Sequence, residues 1–171
     1  MAQYRRGSLR QVGMTLIELI MVVVIVGLLA AFAVPKYVNL KVDSENASVL
    51  GTYGALKSSF KMVHAQWVAE QKPSSITLKD GSTINMTTQG YPVTAGGVNS
   101  NAGCASLWND LLDEHPDATQ WMSAGIVNDD SYYAYGSGSL CLYLYRGSIE
   151  EAVYRYIYFN SISGFFGKVG V

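Results

Sequence analysis

One stretch constrains this chain more than any other: an apolar run from Leu19 to Val34 that contains no charged residue, is closed by Pro35, and is preceded by Gly13-Met14-Thr15-Leu16-Ile17-Glu18. A helix rises about 1.5 Å per residue, so the 21 residues from Met14 to Val34 reach roughly 31 Å, the thickness of a bilayer's hydrocarbon core. Glu18 is the anomaly. A carboxylate costs up to ~3 kcal/mol at the centre of a membrane helix and less towards an end, and that cost calls for a partner.

Helical periodicity does not stop at the proline. Val49, Tyr53, Leu56, Phe60, Val63 and Trp67 follow one another at intervals of three or four, a narrow apolar stripe, with Lys57, Lys61, Gln66 and Glu70 off it. Pro73 marks the stop beyond Gln71-Lys72. The pattern predicts one helix from Met14 to about Gln71, hydrophobic all round at first and amphipathic later, whose stripe packs on the chain's own sheet. Pro35 offers no N–H to the carbonyl of Ala31, so a kink or local loss of helix is expected between Gly27 and Pro35. Gly51 and Gly54 form a softer spot, read as places where another surface approaches rather than as a hinge.

Charge is unevenly placed. Arg5, Arg6 and Arg10 have no acidic neighbour within residues 1–13, which read as a leader retained in the cytoplasm; without those arginines nine basic side chains face thirteen acidic ones, a net charge of −4. A mildly acidic domain argues against non-specific nucleic-acid binding. A secretory signal peptide cleaved after Ala31-Phe32-Ala33 is the competing reading, opposed by Glu18 and by the helical pattern beyond the cleavage point. Cys104 and Cys141 lie on the side of the apolar run that the positive-inside rule places outside the cytoplasm. That compartment permits a disulfide between them, and two unrelated buried thiols are the alternative.

After Pro73 the composition turns to strand and loop, consistent with a single head domain. Ser75–Leu78 and Thr83–Met86 read as a hairpin around Asp80-Gly81, residues 89–103 as a Gly/Asn/Ser-rich loop, and Cys104–Glu114 as a short helix carrying Leu107, Trp108, Leu111 and Leu112. Strands are predicted at Tyr132–Tyr135, Leu140–Tyr145 and Val153–Phe159, the last against a capping-box signature at Ser148-x-x-Glu151. Alternation puts Tyr154, Tyr156 and Tyr158 on one face, either core or exposed patch. No catalytic constellation, phosphate loop or zinc spacing stands out. His115 reads as a solvated helix end, Asp129-Asp130 are thin grounds for a cation site, and neither a cofactor nor a metal is expected.

In Gly13, Met14, Thr15, Leu16, Ile17 and Glu18 the chain resembles the type IV prepilin family, with its basic leader, cleaved glycine, apolar residue, threonine, two aliphatics and glutamate. Gly27 and Pro35 fall where that family commonly has Gly and Pro, and Ala33-Val34-Pro35-Lys36-Tyr37-Val38-Asn39-Leu40 resembles its mannose-sensitive haemagglutinin branch. Met14 stands where pilins usually carry Phe, and about 30 residues follow Cys141, more than follow the second cysteine in many pilins. The resemblance implies an α+β fold: leader 1–13, filament-core helix 14–35, amphipathic half 36–72, and a head at 73–171 with an antiparallel sheet. It further implies cleavage between Gly13 and Met14 by a prepilin peptidase, N-methylation of Met14, and pairing of Glu18 with the Met14 amine of a neighbouring copy. Implied too are a helical homo-oligomeric filament built by a pilus assembly machinery, and residence in the inner membrane before display on a Gram-negative surface. Attachment and motility would be its work, with loops 89–103 and 123–140 carrying specificity and no enzymatic activity. A type II secretion pseudopilin and a soluble periplasmic protein released after Ala33 are the alternatives.

Overall fold

The computed structural model describes residues 13–79, 81–94, 99–112, 116–121, 132–147 and 154–171. Helix α1 runs Leu16–Ala69 and is helical throughout, including Gly27 and Pro35. It ends as the sequence indicates. Gln71 and Lys72 both take a φ of 64°, the Lys72 and Gln71 amides bond back to the carbonyls of Trp67 (2.9 Å) and Val68 (3.3 Å), and Pro73 follows. This paired back-bonding satisfies carbonyls that a helix end otherwise leaves open.

Contacts divide the chain into two compact units, Met1–Asp43 and Ser44–Val171, and α1 contributes to each. In the first unit the described residues are Gly13–Thr15 and α1 as far as Asp43, which holds its apolar run. The second unit is the head.

Two sheets build the head. In the first, β1 (Ser75–Thr77), β2 (Thr83–Met86) and β3 (Pro92–Val93) are antiparallel neighbours in that order, with Ile76 opposite Ile84. Gly81, at φ 91°, sits in the β1–β2 turn where Asp-Gly was expected, while Asp80 lies outside the described residues. The second sheet has the order β4 (Ala118–Gln120), β5 (Tyr132–Ser137), β6 (Leu140–Tyr145), β7 (Tyr156–Asn160), β8 (Phe166–Val169). All its pairs are antiparallel except β4 with β5. Helix α2 (Asn101–Leu111) is tied to this sheet by the disulfide between Cys104 and Cys141 of β6, with Cα atoms 5.7 Å apart.

The stripe on α1 buries as patterned: Val49, Leu56, Phe60, Val63 and Trp67 are core residues and Tyr53 is half-buried against them. Phe60 meets Phe159 of β7 with ring centres 4.1 Å apart and Phe166 of β8 at 4.9 Å, so the helix does pack on its own sheet. A second focus is Trp108 of α2, fully buried between Tyr132 (4.6 Å) and Tyr143 (4.7 Å), its indole N–H donating to the carbonyl of Pro116.

Several expectations need correction. Helix α2 begins three residues before Cys104, because Ser100 caps it by accepting from the Gly103 amide at 3.1 Å. The stretch 89–103 is not simply an exposed loop: Pro92 and Val93 extend the first sheet, and Thr94 and Asn99 are buried, Asn99 accepting from the Thr94 amide. Within 123–140, residues Tyr132–Ser137 are strand, and the turn is confined to Gly138-Ser139 because register places Ser137 opposite Leu140. Strand β7 is shifted from Val153–Phe159 to Tyr156–Asn160, and the Ser148/Glu151 signature lies outside the described residues. A side chain added at Gly51 or Gly54 would meet nothing within 4 Å, so the close surface expected there is not supplied by the described residues.

The tyrosines divide. Tyr132, Tyr143 and Tyr145 are core, whereas Tyr156 and Tyr158 are half-exposed on the far face of β7 and Tyr154 is exposed. The same alternation sends Arg155 inward. It is 1% exposed, donates from Nε to Asn46 Oδ1 at 2.7 Å and forms an ion pair from Nη1 to Glu45 Oε2 at 3.1 Å. A buried guanidinium is tolerated only when paired and hydrogen-bonded in this way.

Candidate processing and assembly segment

Gly13, Met14 and Thr15 precede the helix in non-helical, exposed backbone, so the Gly13–Met14 bond stands clear of regular structure. Helix α1 starts at Leu16, two residues after the expected Met14, for a local reason. Thr15 is its cap: the Glu18 amide donates to Thr15 Oγ1 at 3.3 Å, while Glu18 Oε2 accepts from the Thr15 amide and from the Thr15 hydroxyl, each at 2.9 Å. This is a reciprocal capping box, worth about 1 kcal/mol in ordinary helices. The signal is present in the sequence as Thr-x-x-Glu, carried by the same acid that stands out as a charge beside the apolar run.

The box bears on what Glu18 can do. Both bonds fall on Oε2, which leaves Oε1 without a partner among the described residues. The helix start is thereby fixed while one carboxylate oxygen faces outward. Downstream, the large side chains from Leu19 to Val34 are 51% to 77% exposed, so no described residue covers them. The helix is long and apolar enough to cross a membrane, with none of that window buried.

The other singled-out residues do not gather here. Cys104 and Cys141 form their disulfide in the head, and Gly27 and Pro35 lie along α1 with no neighbour within 4 Å of a side chain added at Gly27. His115 and Asp129-Asp130, like residues 1–12 of the expected leader, lie outside the described residues. Among the described residues no three His, Cys, Asp or Glu side chains come together as a metal site would need. A residue that sequence reasoning passed over is His64, whose Nδ1 lies 2.6 Å from the Gly90 carbonyl and whose ring stacks on Tyr91. Arg155 was also passed over, although its place on the same strand face as Ile157 and Phe159 was legible.

No family model and no solved structure matches the chain. It is similar to the type IV narrow pilus major component PilA5 of Thermus thermophilus, at 41% identity over 58 residues, which are 34% of this chain and 50% of that relative. The chain therefore spans half the length of the curated relative it matches.

Proposed function

We propose, proceeding from the type IV pilin family that the PilA5 similarity supports, that this chain is a structural subunit of a type IV pilus filament. One observation carries the reading: an uncovered apolar helix whose start is set by Thr15 and Glu18, directly after an exposed Gly13–Met14 bond. In this scheme residues 1–13 are removed by a prepilin peptidase, the new amine at Met14 is methylated, and residues 14–35 lie first in the inner membrane and then in the filament core. Residues 36–72 supply the amphipathic half and 73–171 the head, which the filament displays outside the cell. Surface attachment and motility follow as the work of such a filament, and its assembly needs no catalytic residue.

Glu18 supplies register. Its carboxylate, held by Thr15 through one oxygen, offers the other to the Met14 amine of a neighbouring copy, and both charges are neutralised away from water. Removing one member of such a pair leaves an uncompensated buried charge, typically costing ~3–5 kcal/mol. Two measurements test the scheme. N-terminal sequencing of the mature protein is expected to start at Met14; a start at Val34 would remove Glu18 and end the proposal. Glu18→Ala is expected to be processed and membrane-bound yet to yield few fibres by electron microscopy, and fibres at wild-type abundance would overturn the pairing.

A further inference from the structure

Between α1 and the β7–β8 end of the head lies a cleft of about 230 Å³ that the pilus scheme leaves unused. Its floor is aromatic, made by Phe60, Phe159 and Phe166, whose rings pack at 4.1 to 5.4 Å. One wall is the His64 imidazole stacked on Tyr91, with ring centres 5.1 Å apart and planes 19° from parallel. On the α1 side stand Lys57 and Lys61.

The wall is fixed from behind. Gly164, at φ 66°, lets the Tyr91 ring lie against its backbone, and Gly90, at φ 82°, does the same for Trp67 and His64; a side chain at either would overlap those rings. The Gly90 carbonyl can only accept, so the contact at 2.6 Å requires the hydrogen on His64 Nδ1. In the neutral ring Nε2 is then an acceptor. Lys57 Nζ lies 3.3 Å from the Tyr53 hydroxyl, and neither Lys57 nor Lys61 has a carboxylate in ion-pair reach among the described residues. Two like charges one helical turn apart repel, a cost that an anion between them would remove.

These groups specify an occupant. Aromatic floor and wall suit a ring with an apolar face, the lysines suit a carboxylate, and an imidazole acceptor beside a phenol suits hydroxyl groups. The volume lies below the roughly 300–1,000 Å³ of drug-sized sites and fits one ring. A bare inorganic anion would leave the aromatic surfaces unused, and an aromatic acid without hydroxyl groups would give Nε2 no donor. We propose that the cleft binds a single uronic-acid-type sugar residue, its carboxylate on Lys57 and Lys61 and its ring against Phe166 and Tyr91. Every residue involved lies within Ser44–Val171.

Methyl glucuronoside and methyl glucoside, which differ only in the carboxylate, provide the test by saturation-transfer NMR and calorimetry on the full chain in a sugar-free detergent at constant ionic strength. The glucuronoside is expected to bind with Kd on the order of 1 mM and at least about tenfold more tightly than the glucoside. The double variant Lys57→Gln/Lys61→Gln should abolish that preference, with an unchanged near-UV spectrum as the folding control, and Lys79→Gln, away from the cleft, should retain it. Equal affinity for the two glycosides, no binding of either, or an undiminished preference in the double variant would each overturn the proposal. So would displacement by sulfate at equal concentration, which would reveal simple anion binding.

Discussion

Tyr143 shows how much a single side chain is set by its surroundings. Fully buried, it donates its hydroxyl to the Cys104 carbonyl at 3.0 Å, and burial pushes its phenol up from the ordinary value of 10.0. The folded state therefore holds a proton that the unfolded chain releases near pH 10, so this contribution to stability is complete below about pH 10 and is lost as the pH rises above it. Tyr143→Phe is expected to lose about 1 kcal/mol at pH 7 with its hydrogen bond, yet to fall less than the wild type between pH 9 and pH 11; urea midpoints at the three pH values check both. The sequence offered Tyr143 only as one of twelve tyrosines. Strand alternation separates Arg155, Ile157 and Phe159 from Tyr154, Tyr156 and Tyr158, but which set faced the core depended on α1 lying above it. That is a tertiary fact, and the buried ion pair between Arg155 and Glu45 belongs to it.

At the scale of elements, legibility followed how locally each was determined. The α1 stripe, the β1–β2 hairpin and the boundaries of β6 were readable because periodicity and turn chemistry act over a few residues. Strands β3, β4 and β8 were not, since each is a strand only by virtue of its partner. Gly167 illustrates the reason: a glycine reads as a breaker, but in β8 it lies opposite Tyr158, whose ring occupies the space a side chain would need. The α2 start was missed because Ser100 and Gly103 carry a cap and no hydrophobic period. The disulfide, by contrast, could be anticipated as one of two options from compartment alone. It closes a separation of 37 residues, for which chain entropy gives about 4 kcal/mol, and joins α2 to β6 beside Trp108 and Tyr143. Reduction, or Cys104→Ser/Cys141→Ser, is expected to lower head stability by about 2–4 kcal/mol, seen as a lower urea midpoint with a steeper slope, because the unbridged unfolded chain exposes more surface.

For the whole molecule, the division at Asp43 and Ser44 separates a unit whose large apolar side chains from Leu19 to Val34 are exposed from a head with its own core. A chain beginning at Ser44 keeps the Arg155 contacts with Glu45 and Asn46, the α1 stripe and the disulfide. Such a chain is expected to be soluble and monomeric without detergent and to show the near-UV spectrum of the full-length head. Aggregation or loss of that spectrum on sedimentation and circular dichroism would show that the head needs the preceding residues. Of the candidate segment, the motif residues Gly13, Met14 and Glu18 could be singled out one by one, whereas the bonds of Thr15 with Glu18 needed a backbone on which to close.

The bareness of α1 from Leu19 to Val34 has a consequence for order in time. A surface of that kind has no resting state in water, so under the proposed pilus scheme this part of the chain is always in company, first lipid and later its own kind, and is handed from one to the other. The head carries no such obligation. It can finish folding and oxidise while the helix waits, so that what is eventually handed over is a completed part rather than a chain still seeking its shape.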